Sequence, residues 1–165
     1  MKFKEENGLY ELDCTKALWA TDEIRAVYDA SGAPLSDTDF VVETEDFIYL
    51  IEYKNGNIQK AIEHGQVFNP AEDKKRRDII KNFYDSRHYL TIKGKNKPVK
   101  YIYIVEYPDA SVTTRKMLRN NIVKQLPFKL QKNQPVKLIY DFAVVSIAEW
   151  NEHEEYARFP LKLIT

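Results

Sequence analysis

The stretch Asp39-Phe40-Val41-Val42-Glu43-Thr44-Glu45-Asp46-Phe47-Ile48-Tyr49-Leu50-Ile51-Glu52-Tyr53-Lys54 decides the fold. Phe40-Val41-Val42 and Phe47-Ile48-Tyr49-Leu50-Ile51 are short β-branched and aromatic runs, split by the polar step Glu45-Asp46. The pattern predicts a β-hairpin, although Glu-Asp is not a favoured tight-turn pair. A short loop there sets Phe40 opposite Ile51 and Asp39 opposite Glu52. Directly opposed side chains hold their Cβ atoms about 4.5–5.5 Å apart. Side chains alternate along a strand, so Asp39, Glu52 and Lys54 share a face with Val41, Ile48 and Leu50. Phe40, Val42, Phe47, Tyr49, Ile51 and Tyr53 take the other face. Both faces are apolar, yet three charged groups meet at one end of one of them.

Working outward, Ala20, Ile24, Val27 and Tyr28 fall on one helix face, so helical structure is expected over about residues 15–30. Gly32 and Pro34 end it, and Thr21-Asp22 offers an internal cap that would split it in two. Gly56 closes the second hairpin strand, and residues 56–69 read as irregular. Asn69, Pro70 and Glu72 then suit the N-cap, first-turn and capping-box positions of a helix over about Pro70–His88. A strand follows at Val99–Glu106, a helix at Ser111–Lys124 stopped by Pro127, and an apolar β-rich stretch at Leu138–Glu149. Trp150–Thr165 receives no assignment. The order α, β, β, α, β, α, β implies an α/β chain with a central mixed sheet and helices on both faces.

The chain has 165 residues, which suits a single domain spanning residues 1–165. One cysteine, Cys14, rules out an internal disulfide. The longest apolar runs are about four to six residues, and a bilayer span needs about 20. No apolar leader follows Met1, so a cytoplasmic location with no membrane partner is expected. Formal charge is zero but uneven. Residues 1–70 carry 6 basic and 14 acidic groups, and residues 71–100 carry 10 and 4. Residues 101–137 add 7 basic and 2 acidic groups, which fits a polyanionic partner or a solvated surface.

Paired carboxylates repel unless a positive group joins them. Mg²⁺ commonly takes one or two protein carboxylates, keeps several waters and completes its shell with phosphate oxygens. Asp39 and Glu52 are therefore candidate ligands for Mg²⁺ or Mn²⁺. Lys54 can orient or deprotonate a water, or stabilise developing charge, and burial beside a metal favours a lowered pKa for it.

Asp39, followed by twelve residues and then Glu52-Tyr53-Lys54, resembles the core signature of the PD-(D/E)XK nuclease superfamily. The helix ahead of the hairpin and the helix and strand after it resemble the same family. The likeness covers about residues 12–106, leaving 107–165 as a C-terminal extension. Thr38 stands where the signature carries proline. The resemblance implies a restriction-endonuclease-like αβββαβ-type core and metal-dependent hydrolysis of nucleic-acid phosphodiesters. It assigns Asp39 and Glu52 as metal ligands and Lys54 as the catalytic lysine. Many members add an acid from the first helix, for which Glu23 is the candidate and Glu11 a weaker one.

Lys74, Lys75, Arg76, Arg77, Lys81 and Arg87, on or near the helix after the hairpin, are candidate nucleic-acid contacts, with DNA ahead of RNA. Further cations follow at Lys93, Lys95, Lys97 and Lys100 and on the next helix. The alternative is a catalytically inactive nucleic-acid-binding or protein-interaction module on the same fold. A homodimer or a partner subunit is compatible with the opposed charge blocks. His64, His88 and His153 have no metal-ligand spacing, and Cys14 reads as an inert small side chain. Tyr101, Tyr103 and Tyr107 alternate along their strand and read as core and rim rather than as base-stacking platforms.

Overall fold

A computed structural model describes residues 1–58 and 68–165. His64 and most of the stretch expected to be irregular, residues 59–67, lie outside the described residues. The elements described are β1 (Lys2–Lys4), β2 (Tyr10–Asp13), β3 (Trp19–Thr21), α1 (Ile24–Ser31), β4 (Phe40–Glu43) and β5 (Ile48–Asn55). They continue with α2 (Asp73–Ile92), β6 (Val99–Glu106), α3 (Val112–Val123), β7 (Asp141–Val145), α4 (Ile147–Glu152) and β8 (Leu161–Leu163).

The chain is α/β. A five-stranded mixed sheet runs β3-β4-β5-β6-β7, antiparallel as far as β5 and parallel from β5 through β7. The hairpin has the expected register, with Phe40 facing Ile51 and Glu43 facing Ile48. The Thr44 hydroxyl accepts the Phe47 amide at 3.1 Å, which supplies the turn closure that Glu45-Asp46 lacks. One face of the sheet packs Val41, Ile48 and Leu50 against Ile24 and Tyr28 of α1, Ile79 and Phe83 of α2, and Leu118 of α3. The other packs Phe40, Val42, Tyr49, Ile51 and Tyr53 against Leu12, Trp150, Phe159 and Leu161. That second face is covered by a small sheet, β1-β2-β8, and by the short α4. The longer helices therefore lie on one face, and most of the opposite cover is β structure.

Several boundaries differ from expectation. Residues 15–23 are not helical: Trp19–Thr21 pairs with β4, and helix begins only at Ile24. Ala20 enters one core and Ile24 the other, so their four-residue spacing joins a strand to a helix across the sheet. Gly32 caps α1 in the left-handed region at φ 72°, where glycine pays no Cβ penalty. α2 begins three residues late because Asn69 closes a turn instead, accepting the Ala71 amide at 3.0 Å. It runs one turn past His88 because Tyr89 and Leu90 are fully buried. Leu138–Glu149 is half strand and half helix. The Ser146–Glu149 capping box starts α4, a pattern present in the sequence. In the unassigned tail, the Trp150 indole donates to the Phe159 carbonyl at 2.7 Å, which seats β8 beside β2. No described helix is long and apolar enough to cross a membrane.

Candidate active site

The hairpin delivers its charged residues to the end of the sheet where α2 begins. Asp39 lies one residue before β4, and its Oδ2 accepts the Tyr53 backbone amide at 2.7 Å. Two residues of α2 hold the segment leading into it. Asp85 accepts the Ser36 amide at 2.8 Å, and the Ser86 hydroxyl accepts the Thr38 amide at 2.8 Å. A proline at position 38 would have no N–H to give Ser86. Thr38 is buried and supplies that bond.

Glu52 is 1% exposed. Lys54 Nζ stands 3.4 Å from its Oε1, while Oε2 is buried with no hydrogen-bond partner among the described residues. An unpaired buried polar atom costs about 1–3 kcal/mol, more when charged. Beside Glu52, in register on the parallel strand β6, stands Tyr103. Its side chain is fully buried, and its hydroxyl also has no described partner. Lys54 and Tyr103 line a cleft of about 410 Å³ whose walls also include Lys75, Asp78, Asn82 and Phe68. Phe68 packs over Gly56 so closely that a Cβ there would come within 2.8 Å of it, so glycine is required at the end of β5.

The electrostatics are those of like charges held together. Burial raises Asp39 to about 6, with Lys54 and the Tyr53 amide pulling the other way. Burial and then the Asp39 charge push Glu52 well above the usual carboxylate range. Burial pulls Lys54 down, but Glu52 and Asp39 outweigh it and hold the ammonium above its ordinary value. This reverses the lowered pKa expected for Lys54. In these surroundings the side chain is a fixed cation.

Asp39, Glu52 and Lys54 are thus brought together. Glu23 is exposed at the N-cap of α1 and caps nothing with its side chain. Glu11 lies in β2, 3.6 Å from Lys2. The acidic charges that bear on Asp39 are instead those of Asp37 and Glu6. Among the described residues, no group of three or more His, Cys, Asp or Glu side chains is arranged to hold a metal ion.

The basic residues divide. Lys75 lines the cleft and lies over the Phe68 ring at 5.8 Å. Lys74 and Arg77 are exposed on the same first turns of α2. Arg76 pairs with Asp73, and Lys81 with Asp85. Arg87 lies far along α2 and lines a separate groove with Lys95, Lys97 and Lys137. Lys95 and Lys97 both engage Glu43, at 2.6 and 3.0 Å. Those two lysines therefore neutralise a buried acid of β4.

Cys14 is buried, and burial pushes its thiol up to about 12. His88 is exposed, and His153 stacks on Tyr156 at 4.1 Å. Tyr101 is core: its hydroxyl donates to the Ile79 carbonyl at 2.7 Å. Tyr103, which the sequence reads as core or rim, lines the cleft, as does Asn82, which the sequence did not single out. The available signal was a tyrosine rather than an aliphatic residue at a fully buried position beside Glu52. No family model, curated protein or solved structure matches the chain.

Proposed function

We propose that the chain is a divalent-metal-dependent nuclease built on a restriction-endonuclease-like core. The observation that carries the reading is Glu52 Oε2, a carboxyl oxygen buried with no described partner, beside a second acid, Asp39, that is fastened to the Tyr53 amide. Burial, and at Glu52 the neighbouring Asp39 charge, raise the proton affinity of both carboxyls; a bound cation would relieve that penalty, and a hard cation with oxygen preference fits the donor set. Asp39 and Glu52 would hold the ion, Mg²⁺ or Mn²⁺, which supplies water activation and charge neutralisation at a phosphate.

The chain's own residues do the rest. The Tyr53 amide and the Glu52 burial fix both carboxylates, so little reorganisation is needed at reaction. The Lys54 ammonium, kept protonated by its neighbours, stabilises charge developing on the phosphoryl oxygens. Lys74, Lys75 and Arg77 on the first turns of α2 add sequence-independent attraction for the nucleic-acid backbone.

The test is cleavage of duplex and single-stranded DNA and RNA with Mg²⁺ or Mn²⁺, by wild type, Glu52→Ala and Lys54→Ala. Cleavage in wild type that falls by at least about 100-fold in both variants supports the reading. Equal cleavage in all three proteins overturns it. One observation favours a second reading, a non-catalytic nucleic-acid-binding module: Lys54 is engaged with Glu52, and among the described residues no third metal-binding side chain joins the pair. Salt-sensitive binding that survives chelation, without cleavage, selects that alternative.

A further inference from the structure

We infer that the Tyr103 hydroxyl and the Lys75 ammonium form a phosphate-binding subsite in the cleft beside Glu52, distinct from the carboxylate pair. The inference rests on the nuclease reading for its substrate but not for its anion chemistry.

Tyr101 and Tyr103 lie two residues apart on one face of β6, and both are fully buried. The fold satisfies the first, whose hydroxyl donates to the Ile79 carbonyl at 2.7 Å. It leaves the second without a described partner, at the wall of the cleft. A buried tyrosine hydroxyl normally finds an acceptor, so one buried and unpaired in a cleft wall marks a place for an acceptor from outside. Lys75 lines the same cleft from α2, forms no described ion pair, and touches the Phe68 ring through a cation–π contact. Asn82 also lines the wall, its side chain acting on Glu52 as a hydrogen-bond donor. Asp78 contributes a negative charge there, while Lys54 and Lys75 contribute two positive ones. An O–H donor and two ammonium groups lining one cleft suit a tetrahedral oxyanion. In that arrangement the Tyr103 O–H donates to a non-bridging oxygen and Lys75 offsets its charge.

The register makes the placement specific. Glu52 and Tyr103 are direct neighbours across the parallel pair, and Lys54 follows two residues on along the same face. A phosphate seated on Tyr103 therefore has one side toward Lys54 and the carboxylates and the other toward Lys75. This geometry distinguishes a reacting phosphate from one merely held by surface lysines.

The experiment uses the full chain as wild type, Tyr103→Phe and Lys75→Ala. Thermal unfolding is followed with inorganic phosphate and with chloride at matched ionic strength, alongside kcat and KM for oligonucleotide cleavage. The expected result is a phosphate-specific rise in Tm for wild type that is absent in Tyr103→Phe and reduced in Lys75→Ala. Tyr103→Phe should keep the wild-type Tm in chloride, lose about 100-fold in kcat and change little in KM. A phosphate effect equal to wild type in both variants overturns the subsite, even if cleavage is robust. A fall of several degrees for Tyr103→Phe in chloride also overturns it, because the hydroxyl would then have a structural partner. A phosphate effect lost in Tyr103→Phe, in a protein that cleaves nothing, upholds the subsite while the nuclease reading fails.

Discussion

The Asp39 carboxylate accepts the Tyr53 amide at 2.7 Å, so the acid that starts one strand is fastened to the backbone between Glu52 and Lys54. The bond extends the hairpin ladder by a side chain and sets the separation of the two acids. It also separates two roles of Asp39, charge and acceptor. Asp39→Asn keeps an acceptor and removes the charge. Asp39→Ala removes both and leaves the Tyr53 N–H without its partner, a difference of about 1 kcal/mol. Urea unfolding at neutral pH should therefore rank Asp39→Asn above Asp39→Ala, with both variants inactive in cleavage.

Glu52 makes a stability prediction with a definite sign. Its pKa in the fold is raised by burial and by Asp39, and that of Asp39 is raised from 3.8 to about 6 by burial. A group raised in the folded state binds its proton more tightly there than in the unfolded chain. The stabilisation is complete below the unfolded value and is lost as pH rises through the folded one. Between about pH 4 and 6 wild type should lose stability as Asp39 ionises, with further loss above that from Glu52. Glu52→Gln should unfold at a higher temperature than wild type at pH 8. The two should converge near pH 4, as followed by Tm in a set of matched buffers. A Gln variant less stable than wild type at pH 8 would mean Glu52 has a partner the reading omits.

What the sequence made legible follows from where the restraints lie. The hairpin register was readable because both of its faces are buried, and a one-residue slip would have moved Glu52 and Lys54 to the wrong face. β6 was readable for a similar reason, as a continuous apolar strand bounded by Pro98 and Pro108. The Trp19–Thr21 strand was not. Its three residues are shorter than a period can reveal, and Ala20 happens to sit four before Ile24. β1, β2 and β8 are only three or four residues long, and their pairing brings N- and C-terminal segments together, which no local pattern records. In the site, the acids and lysine were visible as a signature, whereas Tyr103 was not. A tyrosine in an apolar strand reads as core until the partner of its hydroxyl is known. The use of Thr38 was likewise hidden, because its partner Ser86 is 48 residues away on a helix.

The lysines of the middle segment should separate in a binding titration. Each backbone phosphate contact steepens the dependence of log Kd on log salt by about 0.7–0.9. Lys75→Ala and Arg77→Ala should each flatten that slope by about one such step, because both side chains stand by the cleft end of α2. Lys95→Ala should leave the slope unchanged and instead lower stability, since Lys95 and Lys97 are engaged with buried Glu43. Fluorescence anisotropy with a labelled oligonucleotide across a salt series reads the slopes, and urea unfolding reads the stability. A slope change for Lys95→Ala equal to that for Lys75→Ala would place the nucleic acid elsewhere.

Tyr28 supplies the sharpest test of how α2 is held. Its hydroxyl donates to the Asp85 carbonyl at 2.6 Å and accepts the Tyr89 amide at 3.0 Å. Asp85 and Tyr89 are four residues apart, so the hydroxyl bridges the two backbone groups that a helical hydrogen bond would join. A side chain inserted in this way bends a helix and couples it to the inserting element. Here it couples α1 to the part of α2 where Asp85 and Ser86 grip Ser36 and Thr38, just ahead of Asp39. Tyr28→Phe leaves both backbone groups without the bridge and should cost about 1–3 kcal/mol in urea unfolding. Hydrogen exchange should show the Tyr89 amide losing protection beyond the global change, with the Ser36 and Thr38 amides following it. If the Tyr89 amide keeps its protection, α2 has closed its own bond. The segment ahead of Asp39 is then held by Asp85 and Ser86 independently of Tyr28, and Ser86→Ala becomes the variant that loosens it.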